Sequence, residues 1–145
     1  MTPGATLTRR VRFRAAHRYH RPEWDDIRNH ATFGACAAAD PHAHDYACEV
    51  SVGGAVDPLT GMVVDLGLLD RILAEEVVAA LEGRVVNEVF PEFAPGGRIP
   101  TCEEFARAVA ARVDAALTRE GCAARVATVR LAEDDTLWAT WSSGA

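Results

Sequence analysis

The 145-residue chain contains no lysine; all 15 of its basic side chains are arginines. That excludes Schiff-base catalysis through a lysine amine. No apolar run approaches the roughly 20 residues needed to cross a bilayer. The opening MTPGATLTRR lacks the apolar core of a signal peptide. Positive charge is also scarce: the net charge is −6, so the basic stripe of a nucleic-acid-binding surface is not expected. The four cysteines (Cys36, Cys48, Cys102, Cys122) show no CxxC or other paired spacing. No internal repeat or low-complexity segment interrupts the chain. These absences predict a cytoplasmic protein with reduced thiols and with neither a nucleic-acid nor a membrane partner.

What is present fits one compact domain spanning 1–145. Residues 7–16 alternate, with Leu7, Arg9, Val11, Phe13 and Ala15 opposed to Thr8, Arg10, Arg12, Arg14 and Ala16. A period of two with one charged face predicts a strand. Residues 45–56 alternate again, with Tyr46, Cys48, Val50 and Val52 on one side. The polar stretch 18–41 between them, carrying His20, Trp24 and His30, reads as a long functional loop. After the turn Asp57-Pro58-Leu59-Thr60-Gly61 the period becomes helical, through Leu66, Leu69, Ile72, Leu73, Val77, Ala80 and Leu81. A proline- and glycine-rich connection over 83–100 follows. A second helix starts near Thr101, which with Glu104 forms a capping-box pattern, and Gly121 stops it. Residues 124–132 and 136–142 complete the chain as a hairpin turning at Asp134-Asp135. The order ββααββ predicts an α+β fold: a four-stranded antiparallel sheet with two helices on one face.

His42-Ala43-His44 opens the second strand, where residues two apart share a face. His17 ends the first strand, which an antiparallel pairing brings alongside. Three imidazoles with an open fourth position suit a catalytic zinc ion, although HxH alone is also a common accident. Cys36 reads as general base, nucleophile, fourth ligand or small buried hydrophobe; a nearby cation would favour its thiolate. Glu133, at the end of the third strand, can accept two parallel hydrogen bonds from an amino-substituted heterocycle, or be a solvated turn acid. Glu103 stands in the first turn of the second helix, where an acid also complements the helix dipole.

Taken together, these residues resemble the 6-pyruvoyl-tetrahydropterin synthase and 6-carboxytetrahydropterin synthase family. Phe13-Arg14-Ala15-Ala16-His17 is similar to its first zinc motif, and Cys36, five residues, then His42-Ala43-His44-Asp45-Tyr46 to its second. Asp57-Pro58-Leu59-Thr60-Gly61-Met62-Val63-Val64-Asp65-Leu66 resembles its turn into helix one. Pro91-Glu92-Phe93 and Pro100-Thr101-Cys102-Glu103 resemble its loop and helix start. The resemblance implies a tunnel fold that closes a barrel by homo-oligomerising as a trimer or hexamer, with sites between subunits. It implies zinc on His17, His42 and His44, Cys36 as base, and substrate contacts from Thr101, Glu103 and Glu133. The small-molecule substrate implied is of the 7,8-dihydroneopterin triphosphate type, and the chemistry that of a lyase.

One departure stands out. Where the family has an Asp-His pair ending helix one, this chain reads Leu81-Glu82-Gly83. Glu82 is left as the candidate catalytic acid, and a glycine cannot relay a proton. Expectation therefore leans toward a zinc-dependent lyase recruited to another carbon–carbon or cyclisation reaction. A genuine pterin synthase and a non-catalytic zinc module are the alternatives.

Overall fold

The computed structural model describes residues 4–144. The sheet has five strands in the order β3-β1-β2-β4-β5. β1 (Gly4–His17) pairs antiparallel with β2 (His42–Ala55) along its whole length, from Gly4 opposite Ala55 to His17 opposite His42. β2 pairs antiparallel with β4 (Arg125–Asp134), and β4 with β5 (Leu137–Ser142).

The four long strands follow the expected antiparallel arrangement. The fifth, β3 (Arg84–Val85), departs from it by adding in parallel beside Ala15 and Ala16 of β1. Two residues are too few to show a period. What makes this strand is a pair of tethers just before it: Gly83 N–H donates to Arg14 O at 2.7 Å, and Arg14 N–H donates to the Glu82 carboxylate at 3.2 Å. Gly83 turns the chain with φ +72°, a conformation that favours glycine.

The expected long loop is also partly helical. Residues Asp26–Phe33 form α1, capped by the Asp25 carboxylate accepting from Arg28 N–H at 2.8 Å. A 3₁₀ turn, Gly34–Ala37, follows and carries Cys36. Buried Asn29 organises this segment. Its Oδ1 accepts from Arg21 N–H, and its Nδ2 donates to the carbonyls of Arg21, Trp24 and Asp25.

Helix one runs as α2 (Leu66–Leu73), a π turn (Ala74–Val78) and α3 (Ala79–Leu81). Leu69, Ile72, Leu73, Val77 and Leu81 are buried as the period predicts, whereas Leu66 at the start is exposed. A short α4 (Val86–Val89) and a 3₁₀ turn (Pro91–Phe93) occupy the connection, followed by α5 (Cys102–Arg119). Thr101 Oγ1 accepts from Glu104 N–H at 3.2 Å, so the threonine half of the capping box forms. The Glu104 carboxylate turns instead to Arg98 and Arg107.

The helices cover one face of the sheet. Phe13 stacks on Tyr46, and both rings meet Phe105 of α5. Val50, Val52, Val129 and Leu131 are fully buried beneath the helices, each contributing about 1.5–3 kcal/mol by leaving water. The opposite face carries the alternate, charged residues of β1: Arg10 pairs with Glu49 and Arg14 with Asp45. Among the described residues no helix is long and apolar enough to cross a membrane.

Candidate metal centre

Alternation along the strands decides what converges. Phe13, Ala15 and His17 of β1 share the buried, helix-covered face with Tyr46 and Cys48 of β2. His42 and His44 have the same parity as Tyr46 and so face the same way. On β4, Leu131 is buried toward the helices, and Glu133, two residues on, follows it. The register therefore collects His17, His42, His44 and Glu133 at one end of the core, where the sheet is no longer filled by aliphatic side chains.

Within that group, ligand atoms of His17, His44 and Glu133 lie within 4.8 Å of one another. His44 Nε2 and Glu133 Oε2 are 3.0 Å apart, but their geometry is not that of a hydrogen bond, and both atoms are buried without another partner. Buried polar atoms are rarely left so. Two adjacent orphans, one a carboxylate oxygen and one an imidazole nitrogen, are a donor set that fits a divalent cation such as zinc.

His17 is fully buried, and its Nδ1 lies 2.7 Å from the Tyr46 hydroxyl. In the metal-competent tautomer Nδ1–H donates to that oxygen, which leaves the Nε2 lone pair free. Burial, reinforced by the nearby His44 and His42, lowers the His17 pKa to about 4. The ring is thus neutral at physiological pH, as a ligand must be.

His42 stands slightly apart. Its ring centroid is 6.0 Å from those of both His17 and His44, and its Nε2–H donates to Ala35 O at 2.7 Å. That bond ties the 3₁₀ turn to the strand end and so holds Cys36 in place. The Cys36 Sγ lies 3.5 Å from His17 Nε2, directly beside the cluster. Burial and the Glu133 charge push its thiol pKa up; ionising it requires a positive charge close by.

The other sequence candidates are spread around this point. Thr101 caps α5, and Glu103 is exposed in its first turn. Cys102, between them, is buried near Glu133 and its thiol is pushed up to about 12 by burial. Cys48 rises to about 12 for the same reason. Glu82 is exposed and accepts from the Arg14 backbone at the β3 edge, serving the chain turn. His30 is exposed on α1, its Nδ1 3.0 Å from Asp26 O. His20 points away from the cluster, its Nδ1 3.3 Å from Arg18 Nη2.

Two site residues were not singled out from the sequence. Tyr19 stacks on His17 at 4.4 Å between centroids and meets Phe33 edge-on; burial and the surrounding acidic groups raise its phenol pKa. Tyr46 holds His17 Nδ1 from below. The continued parity of 17 and 19 would have flagged the first. The second is visible in the sequence as a strand residue and as the end of the second zinc motif, but with no role of its own.

A family model described as 6-pyruvoyl tetrahydropterin synthase matches residues 6–143. The human 6-pyruvoyl tetrahydrobiopterin synthase is 34% identical over 90 residues, covering 62% of this chain and 62% of that protein. The Drosophila melanogaster protein of the same name is 35% identical over 92 residues, covering 63% and 55%. The aligned stretch thus spans less than two thirds of the curated relatives' length. The solved Caenorhabditis elegans 6-pyruvoyl tetrahydropterin synthase superposes with a TM-score of 0.85 at 26% identity, covering 99% of this chain and 98% of that one. A Plasmodium vivax 6-pyruvoyl tetrahydropterin synthase superposes at 0.64 with 16% identity, covering 96% and 97%, a likeness of fold alone. With nearly the whole length matched, the chain belongs to the 6-pyruvoyl tetrahydropterin synthase family.

Proposed function

We propose that this chain is a zinc-dependent lyase acting on a pterin-type small molecule. The observation that carries the reading is the convergence of His17, His44 and Glu133 on orphaned buried atoms, with Cys36 Sγ 3.5 Å from His17. That the named relatives are 6-pyruvoyl tetrahydropterin or tetrahydrobiopterin synthases supports the substrate class. His17 and His44 hold the ion, with His42 or Glu133 completing the set. A zinc ion bound there supplies Lewis acidity toward oxygens on the substrate side chain.

The chain's own groups do the rest. Cys36 takes a proton from the carbon next to those oxygens, its thiolate favoured by the neighbouring cation. Where His42 completes the metal set, Glu133 is left to accept paired hydrogen bonds from the amino-substituted ring and fix its orientation. Tyr19, stacked over His17, keeps water from that side of the cluster. In the oligomer the pocket lies between subunits, and Thr101 and Glu103 at the α5 start line it.

A second reading keeps the metal and Cys36 but turns the site to another carbon–carbon or cyclisation reaction. Gly83 favours it, since a Cβ there would meet nothing within 4 Å, and the position offers no proton relay of its own.

One experiment separates the two. Zinc-loaded protein is incubated with 7,8-dihydroneopterin triphosphate and the products are identified by mass spectrometry, with Cys36→Ala as control. Triphosphate loss or side-chain cleavage that vanishes in Cys36→Ala supports the first reading. An unchanged substrate, with zinc confirmed in the sample, supports the second. Wild-type protein that takes up no zinc would defeat both.

A further inference from the structure

The segment after β1 has two sides. His17 and Tyr19 stack together on the metal side. Arg18 and His20 face the other way, into an open cavity of about 490 Å³ bordered by the 93–99 loop. Its size is that of a small-molecule site. Its walls are largely apolar, formed by Phe93, Ile99, Val85 and Pro41.

Arg18 is the unusual member. Its backbone is clamped from both sides by one side chain: Asn87 Oδ1 accepts from Arg18 N–H at 2.9 Å, and Asn87 Nδ2 donates to Arg18 O at 2.9 Å. Its guanidinium is steered by Nε donating to Ala38 O at 3.1 Å and by Nη2 lying 3.3 Å from His20 Nδ1. Neither partner is a carboxylate. Among the described residues no carboxylate lies within 4.0 Å of it and Nη1 has no acceptor. By contrast Arg98, also in the lining, is paired with Glu104. A half-buried, pre-positioned guanidinium with a free donor edge and no carboxylate partner is a ready fork for an incoming anion.

We infer that this cavity is a second ligand site, back to back with the metal centre, for a small organic oxyanion. The Arg18 fork grips a phosphate or carboxylate group through charge-assisted hydrogen bonds, and the apolar walls receive the ligand's body. The inference does not depend on the lyase chemistry, because none of the metal-centre residues lines this cavity.

The test titrates the full-length, zinc-loaded protein with inorganic phosphate and with phenyl phosphate by calorimetry. Phenyl phosphate is expected to bind tighter than inorganic phosphate, because only it uses the walls. Its affinity should fall at least tenfold in Arg18→Met and stay within twofold in His44→Ala. Ala94→Trp, which fills the cavity from an exposed lining position and leaves Arg18 intact, should abolish binding and guards against a misfolded Arg18 variant. Equal affinity for the two probes would leave an ion site without a ligand body and overturn the assignment. So would binding lost in His44→Ala but kept in Arg18→Met, which would place the anion on the metal. An absence of binding, with Arg18→Met changing the oligomeric state, would mean that a partner subunit's acid fills the cavity instead.

Discussion

Tyr46→Phe isolates the bond that orients His17. The ring of Tyr46 is 1% exposed, stacked on Phe13 at 5.3 Å and edge-on to Phe105 at 5.2 Å. Phenylalanine preserves those contacts and removes only the hydroxyl that lies 2.7 Å from His17 Nδ1. His17 is itself 0% exposed, so water cannot replace the lost partner. An unsatisfied buried donor costs about 1–3 kcal/mol. For a domain of this size that lowers the melting temperature by roughly 3–8 °C. The same change frees the imidazole to rotate or swap tautomer, and loss of such an outer partner typically weakens a metal site about 10–100-fold. Urea unfolding of chelator-treated protein reads the first quantity, and competition for zinc with a chromophoric chelator reads the second. A variant with an unaltered urea midpoint and unaltered zinc affinity would refute the argument that Tyr46 holds His17 in its ligand form.

Three further outcomes follow from the geometry. Metal-free protein should lose stability as pH falls from 6.5 to about 4, because the folded chain holds His17 neutral while the unfolded chain takes up a proton. The contribution is full above pH 6.5, is lost through that window, and amounts to about 3 kcal/mol; a His17→Asn variant with the same urea-midpoint slope against pH would contradict it. In the absence of substrate, Glu133→Gln should weaken zinc binding more than His42→Ala, since Glu133 and not His42 groups with His17 and His44 within 4.8 Å; a larger loss in His42→Ala would show that the imidazole completes the set. Gly97→Ala should destabilise by about 1–3 kcal/mol, because an added Cβ would sit 2.4 Å from Glu92 O and 2.9 Å from Ala94 O; a thermal melt matching wild type would disprove the clash.

The strands were legible because both faces of the sheet have a clear chemistry. Arg10, Arg12 and Arg14 could only face water, which fixed Phe13, Ala15 and His17 as the inner row. The long helices were equally visible in their apolar period and in the Thr101 cap. What the pattern concealed were features stabilised by single contacts rather than by repetition. β3 exists because Gly83 and Glu82 bond to Arg14, and α1 because Asp25 and Asn29 tie a polar segment to itself. Parity also predicted which histidines share a face, but not how each ring is spent. His42 has the right parity, and its Nε2 is nonetheless committed to Ala35 O. Glu133 was read as a ring anchor, and its nearest partner in the chain is His44.

Glu133 and His42 are therefore linked through one shortage of donors. A carboxylate that gives Oε2 to a cation beside His44 cannot also offer two parallel acceptors to a heterocycle. A carboxylate drawn onto the ring leaves His17 and His44 one donor short. His42 is the nearest imidazole able to supply it, through Nδ1, while its Nε2–H keeps the bond to Ala35 O that positions the Cys36 turn. Under the proposed function, ring recognition at Glu133 would thus be coupled to ligation by His42, whose Nε2 bond to Ala35 O links it to the Cys36 turn. Restraining His42 by any means should weaken Cys36-dependent turnover more than it weakens binding of the ring.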